Sequence, residues 1–492
     1  MSRRLVPRFR AISTSRHPTM RQTRPPHPAV GGPERRGETV VAPSPRSIVG
    51  GPRLITPVRD NRPARDRFFR ILVRGRRTFP VGEEWEERTM APPTALSPRN
   101  MRRHNLGLVL RTVADRGTVS RAEIVAATAL NKSTVSSLVG ELLARGLVRE
   151  NGERPTRGAG RPGRAIGLDG DTFVALGLEV SVDHLSFAAI DLLGRVRDEG
   201  FLRRENRGED PGETIEALGA LVSRPLERLR AGGLRPVGVT VGLPGLVDPT
   251  RGELIVAPNL RWGRVPVARL LRDHLGGALE VRLENEANLA ALAERWESAG
   301  RDTPDFVYVS GYAGVGAGLV TGGELYRGGT GFGGELGHMT LAPDGPSCAC
   351  GSRGCVETFA GLRALLRQSG YSPRDVRLTS PTAPVHPVPE IAAAATNGDA
   401  RILAALEDIG SRLGIALASS INLIGAPVVV LGGYFTPLHP WLHEPIAREI
   451  RHRVLAAHWA PVEVLRSRII GGAPVRGGAG VLLRALIDDP DR

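Results

Sequence analysis

The sequence predicts an α/β protein with a winged helix-turn-helix at its front, and three observations carry that expectation. Helical periodicity sets in at Asn105 after roughly 95 residues without it. A loop dense in Gly, Arg and Pro, held between two short strands, closes the helical head. From Val174 onward, short apolar runs alternate with helical segments. At 492 residues the chain has room for more than one domain, each burying its own core.

Residues 1–98 are rich in Arg and Pro, with no apolar periodicity beyond a short stretch at 68–73, so they cannot bury enough surface to offset ordering entropy. They are expected to be a disordered extension. Met90 and Met101 lie just before the first patterned helix, which favours upstream sequence from a misplaced start over a DNA-tracking arm. The net charge of +15 is concentrated there: roughly 20 arginines stand against about 8 acidic residues before residue 96. Lys132 is the one lysine in the chain, so global basicity says little about a polyanionic partner. Three cysteines within one short window exclude a secreted disulfide framework and point to a reducing, cytoplasmic setting. No run of about 18 apolar residues and no apolar segment after the basic start argue for membrane spanning or export.

In the head, Leu106, Val109, Leu110 and Val113 share one helical face and Gly117 closes the segment. Ser120 with Glu123 three residues on forms a capping box that opens a second helix through Ala129. Asn131 caps a third, whose Val135, Leu138, Val139, Leu142 and Leu143 make one stripe, and Gly146 stops it. Residues 147–149 and 165–168 read as strands flanking a wing at 151–164. The winged helix-turn-helix is expected over 101–169 and the α/β domain over 172–488. In the latter, 174–190 is a hairpin around 181–183, and 237–241, 279–283, 306–310 and Val428–Leu431 are buried strands. The Pro-rich stretch 380–389 reads as a surface loop.

A three-helix unit of this size sets the start of its third helix in the major groove, which brings Lys132, Ser133, Thr134, Ser136 and Ser137 within reach of bases or phosphates. The wing adds Arg154, Arg157, Arg161 and Arg164, and its run GAGRPGRA resembles minor-groove arms in which arginine enters the narrow, electronegative groove. Double-stranded DNA is the expected partner. The plainer alternative is a winged helix used for protein contacts beneath a solvated basic loop.

All the cysteine lies in the run CACGSRGC, with His338 shortly before it. His338, Cys348, Cys350 and Cys355 suit tetrahedral zinc, and Gly351 and Gly354 permit the tight loop. Four protein ligands leave no open position, so the expected role is structural: fixing the segment that carries Glu335 and Glu357.

The runs VYVSGYAGVGAGLV, GTGFGGELGHM and CACGSRGCVE, with LENEANLAALAE and VLGG further out, resemble the ROK family of bacterial repressors and sugar kinases over about residues 101–488. The winged helix resembles the family's repressor branch. The resemblance implies a two-lobed fold like actin and hexokinase with a ligand cleft between the lobes. It also implies sugar-hydroxyl ligands at Asn259, Asn285, Glu286, Glu335, His338 and Glu357, the histidine touching both metal and sugar. The chemistry fits, since carboxylates and carboxamides bind vicinal hydroxyls through paired hydrogen bonds, whereas an anionic ligand would require Arg or Lys. Each residue taken singly is also readable as a cap or a surface group.

Kinases of the family open this domain with an Asp, two glycines and a threonine that wrap the ATP phosphates; here the same place reads Gly177, Leu178, Glu179, Val180, Ser181, Val182, Asp183. The second phosphate-contacting threonine is replaced by Ala313, and Glu286 stands where the kinases have Asp, a displacement of about 1 Å that can cost roughly a hundredfold in rate. The expected protein is therefore a sugar-responsive transcription regulator, a repressor, with structural zinc, no ATP, a small neutral sugar as effector and no membrane partner. Two half-sites need two recognition helices, so a homodimer or homotetramer is expected. The alternative is an active ATP-dependent ROK sugar kinase with an accessory DNA-binding domain. A zinc sensor is disfavoured by the closed ligand set.

Overall fold

The computed structural model describes residues 97–154, 163–297, 304–312, 314–372, 376 and 387–491; the extension up to residue 96 lies outside them. Helix α1 (Pro98–Arg116) begins before the apolar periodicity does. Ser97 Oγ accepts from Asn100 N at 3.2 Å and Pro98 fills the first turn, where a missing N–H costs nothing. Burial starts only at Leu106, so the first turns carry no stripe to read.

The short strand β1 (Val119–Ser120) leads into α2 (Arg121–Thr128). There Ser120 Oγ accepts from Glu123 N at 3.3 Å and Glu123 Oε2 from Ser120 N at 2.7 Å, the expected capping box. Helix α3 (Lys132–Ala144) buries Val135, Leu138, Val139 and Leu142 against the head's core, and Gly146 follows it in the left-handed region at φ +73°. Strands β2 (Val148–Arg154) and β3 (Gly163–Leu168) pair antiparallel and β1 adds to the other edge of β3. The winged helix is thus formed, with the wing's 155–162 outside the described residues.

Beyond the head, β4 (Phe173–Val180), β5 (His184–Asp191) and β6 (Val196–Arg203) run as an antiparallel meander. Helix α4 (Pro211–Ala231) returns to β7 (Arg235–Leu243), followed by the hairpin β8 (Leu246–Asp248) and β9 (Glu253–Val256), then α5 (Val267–His274) and β10 (Val281–Asn285). The first sheet has the order β10-β7-β4-β5-β6. β4 and β5 are buried along nearly their whole length, which is why they read as continuous apolar runs without alternation.

Helix α6 (Glu286–Glu297) leads to a second sheet of β11 (Phe306–Gly311), β12 (Val315–Thr321) and β13 (Glu324–Tyr326), and then a 3-10 turn at Leu336–His338. After α7 (Val356–Ala360), α8 (Leu362–Ser369), α9 (Val388–Thr396) and α10 (Ala400–Ile424) come β14 (Val428–Leu431), α11 (Phe435–Arg453) and β15 (Glu463–Arg466). The order is β13-β12-β11-β14-β15. Of the stretch expected as a surface loop, 388–389 opens α9 instead: Pro389 in the first turn starts a helix.

The closing helix α12 (Ala473–Asp488) packs against α6 and against β4 and β7 of the first sheet. Each sheet buries its own apolar cluster, Val174–Leu283 on the first and Val307–Val464 on the second, so the chain beyond the head forms two lobes. Gly177 admits α12 to backbone contact at the Val475 carbonyl; a side chain there would collide with it. Among the described residues no helix is long and apolar enough to cross a membrane.

Candidate functional site

Between the lobes lies an open cleft, and Asn259, Asn285, Glu286, Glu335, His338 and Glu357 all line it. The topology explains the convergence. Asn285 ends β10 and Glu286 begins α6, at the edge of the first sheet; Glu335 and His338 bracket the 3-10 turn after β13; Glu357 sits in α7. Asn259 comes from the loop after β9 and donates from Nδ2 to Glu357 Oε2 at 3.2 Å, which also accepts from Val315 N at 3.3 Å. Gly314 lies directly under that carboxylate, and any Cβ there would strike Glu357 Oε2. Asn285 is occupied as a helix cap: its Oδ1 accepts from Ala287 N at 2.8 Å and Asn288 N at 3.2 Å, and its Nδ2 donates to Gly245 O at 3.0 Å. Part of its polarity is spent on structure.

Glu286 is different. Its Oε2 is sealed from water and has no hydrogen-bond partner. Burial, with the carboxylates of Glu179, Glu335 and Glu357 nearby, pushes its carboxyl well above the ordinary carboxylate range. Burial also raises Glu335, against the pull of His338. Ser310 Oγ, in the same cleft, is another buried hydroxyl without a partner. Among the described residues lining the cleft there is no Arg or Lys. The lining is acidic and offers acceptors and hydroxyl-sized donors.

Below the cleft, one ligand atom each of His338, Cys348, Cys350 and Cys355 lies within 4.8 Å of all the others. Cys350 Sγ is 3.8 Å from Cys355 Sγ and Cys348 Sγ is 3.7 Å from His338 Nδ1. Thiolates tetrahedrally bound at about 2.3 Å stand about 3.8 Å apart, so the spacing and the donor chemistry fit zinc. Burial pushes the Cys348 thiol up to about 12 and raises Cys355 as well, the direction a cation would reverse. The bridge between Thr340 and Cys355 ties the cysteine loop to the segment leaving His338, and Glu357 follows Cys355 by two residues.

The ROK family profile matches residues 175–485 and a MarR-family winged-helix profile matches residues 107–161. The chain belongs to the ROK family. It is 29% identical over 384 residues to the xylose repressor of Bacillus spizizenii, covering 78% of this chain and 96% of that protein. A solved ROK family transcriptional regulator, a homologue of the E. coli Mlc protein, is 25% identical with a TM-score of 0.64, over 79% of this chain and 97% of that one. A ROK glucokinase from Streptomyces griseus, solved with glucose and AMPPNP, is 26% identical with a TM-score of 0.53 but covers only 63% of this chain, and 98% of its own.

Glu179, from the end of β4, is buried and lines the cleft of this ROK chain. Glu179 Oε2 accepts from Ser186 Oγ at 3.2 Å and stands 3.7 Å from His184 Nε2, whose Nδ1 is 2.8 Å from Asp183 Oδ1. Burial alone would lower His184; the two carboxylates outweigh it and hold the imidazole up at about 9. Tyr312 stands beside them, half-buried, its phenol raised by burial and by Glu179, Tyr308 and Glu286. Ala313 lies outside the described residues.

On the head, Asn131 Oδ1 accepts from Thr134 N and from Ser133 Oγ, both at 2.7 Å. Lys132, Ser133, Ser136 and Ser137 are exposed on one end of α3 and Thr134 is half-buried. Arg164 is exposed but donates to Glu150 Oε2 at 2.5 Å, and Arg121 holds Oε1 of the same carboxylate at 3.1 Å, which keeps Glu150 below the usual carboxylate range. Arg157 and Arg161 lie outside the described residues. Ser310, Tyr312 and Glu284 of the cleft were not among the residues read from the sequence. All three lie in runs that carried the family resemblance, Ser310 and Tyr312 in VYVSGYAGVGAGLV and Glu284 in LENEANLAALAE.

Proposed function

We propose that this chain is a sugar-responsive DNA-binding transcriptional repressor, with residues 101–169 reading operator DNA and residues 172–488 binding a small neutral sugar. The supporting observation is the convergence of Asn259, Asn285, Glu286, Glu335, His338 and Glu357 on one cleft lined by carboxylates and carboxamides, in a chain whose head exposes the start of its third helix. Lys132, Ser133, Thr134, Ser136 and Ser137 would meet the major groove, with Arg157, Arg161 and Arg164 on the wing side. Arg164 must then leave Glu150 or bring it along, a cost that favours the wing's other arginines for the closest contact. The chain acts as a homodimer or homotetramer, because two half-sites need two recognition helices.

Zinc held by His338 Nδ1 and the three thiolates would have no open position, so it supplies rigidity to the segment carrying Glu335, His338 and Glu357 and takes no part in chemistry. Sugar binding that prefers one lobe spacing shifts the placement of the winged helices and releases operator DNA. A thermal-shift screen over xylose, glucose, an amino sugar and their phosphates, followed by gel shifts on the neighbouring promoter, tests this. Neutral sugars should stabilise the protein and weaken the shift; a preference for sugar phosphates, or operator affinity unchanged by every sugar that binds, would sink the reading.

The similarity to a glucokinase favours a second reading, an active sugar kinase with an accessory head. Glu179 and Tyr312 weigh against it, since the end of the cleft that would cradle phosphates carries a buried carboxylate. ATP-dependent phosphorylation of any hexose by the purified protein would establish it.

A further inference from the structure

Glu284 lines the cleft, yet its carboxylate is already fully used. Oε1 accepts from Asn285 N and from Asn288 Nδ2, both at 3.0 Å. Oε2 accepts from Arg327 Nε at 3.0 Å and Nη2 at 2.6 Å. Four donors fill the acceptor sites of one carboxylate, so Glu284 has nothing left for a ligand. Its partner comes from across the cleft: Glu284 belongs to β10 of the first sheet, whereas Arg327 follows β13 of the second. Each partner also shapes one wall. Glu284 holds the two asparagines that flank Glu286. The Arg327 carbonyl accepts from Gly333 N at 2.8 Å, closing the base of the glycine-rich loop whose end carries Glu335 into the cleft.

We propose that the Glu284–Arg327 pair is a lobe-to-lobe clasp that positions Asn285 and Glu286 on one wall and Glu335 on the other, making both residues determinants of sugar affinity without touching the sugar. This rests on the reading of the cleft as a sugar site. A polar ligand bound between two lobes gains most from walls already held at the bound spacing; lobes free to part must be ordered at each binding event. Glu284 is buried and Arg327 is about two-fifths exposed, 39% for its side chain. Removing Arg327 would leave the Glu284 carboxylate uncompensated in a cleft that already holds Glu179, Glu286, Glu335 and Glu357.

The test uses the full chain with E284Q, R327M, R327K and the double variant E284Q/R327M. Calorimetric titration with D-xylose, D-glucose and N-acetyl-D-glucosamine is run beside bound-zinc content and melting temperature without sugar. Each of E284Q and R327M should weaken sugar binding about tenfold or more with zinc content unchanged, and the double variant should be no worse than the weaker single. R327K, which restores a charge and one donor, should recover most of the loss. A plain fold staple would lower the sugar-free melting temperature and leave sugar affinity within about twofold, and that result overturns the clasp. Should a single variant fail to fold, the double variant, which leaves no charge unpaired, decides by the same criterion. A wild type that binds no sugar sinks the sugar reading itself, and the clasp with it.

Discussion

Glu286 shows how one residue can be costly to the empty protein and useful to the bound one. Its sealed, unpartnered Oε2 and its upward-shifted carboxyl mean that ionising it in the empty cleft is unfavourable, while a ligand hydroxyl donating to it would repair the deficit. Glu286→Gln keeps the shape and removes the charge. We expect the sugar-free melting temperature to rise and sugar affinity to fall about tenfold, read by calorimetry and thermal melts; unchanged affinity would remove Glu286 from the ligand set. His184 makes the opposite case, a buried imidazole that gains from its charge. Its folded value of about 9 lies above the ordinary histidine value near 6.5, so its contribution is complete below about pH 6.5 and is lost as pH rises through about 9. The melting temperature of the wild type should therefore fall between those pH values more steeply than that of His184→Gln. Parallel slopes would mean that the pair with Asp183 and Glu179 does not couple to folding.

Elements whose cause is local were legible in the sequence, and those whose cause is tertiary were not. The capping box at Ser120, the Asn131 cap and the buried strand Val428–Leu431 follow from neighbouring residues and came out in place. The start of α1 did not, because its first turns face solvent and only from Leu106 does packing write a stripe. The grouping of His338 with the three cysteines was legible for the same local reason: its members come from one turn and one loop. The Glu284–Arg327 contact was not, since it joins residues 43 apart on different sheets and each alone is an ordinary charged residue. The cysteine loop carries the element-scale prediction. Cys350 is the exposed member of the cluster, so Cys350→Ser alters one donor with little loss of core packing. We expect bound zinc, measured by mass spectrometry, to drop to near zero, the melting temperature to fall and sugar binding to weaken, because Glu357 and Glu335 lose their common anchor. Full zinc retention with three ligands would show that the fourth donor comes from elsewhere.

At the scale of the molecule, α12 links α6, whose first residue lines the cleft, to the first helix of the head. Its early turns lie against α6, with Gly477 pressed on the Leu289 carbonyl, and α6 begins at Glu286 in the cleft. Its last turns enter the core of the winged helix, where Leu482, Leu483, Leu486 and Ile487 cluster with Leu106, Val109, Leu110 and Val113 of α1. Ion pairs fasten the same end: Arg103 to Asp489, Arg111 to Asp488 at 3.2 Å and Arg484 to Asp115 at 3.5 Å, while Arg145 Nη1 donates to the Pro490 carbonyl at 2.9 Å. These charges are largely exposed and each contributes little; the buried leucines hold the joint. A helix packed on α6 at one end and in the head's core at the other gives sugar a way to bias DNA binding, provided the two lobe spacings move α12 differently. Leu486→Asp places a charge in the joint and should free the head while leaving both sites intact. Bound zinc and sugar affinity should match the wild type, and operator affinity should lose its response to sugar, the ratio of affinities with and without sugar approaching one in gel-shift titrations. A variant that keeps the wild-type ratio with its joint disrupted would mean that the signal reaches the DNA through contacts between protomers and not through this helix.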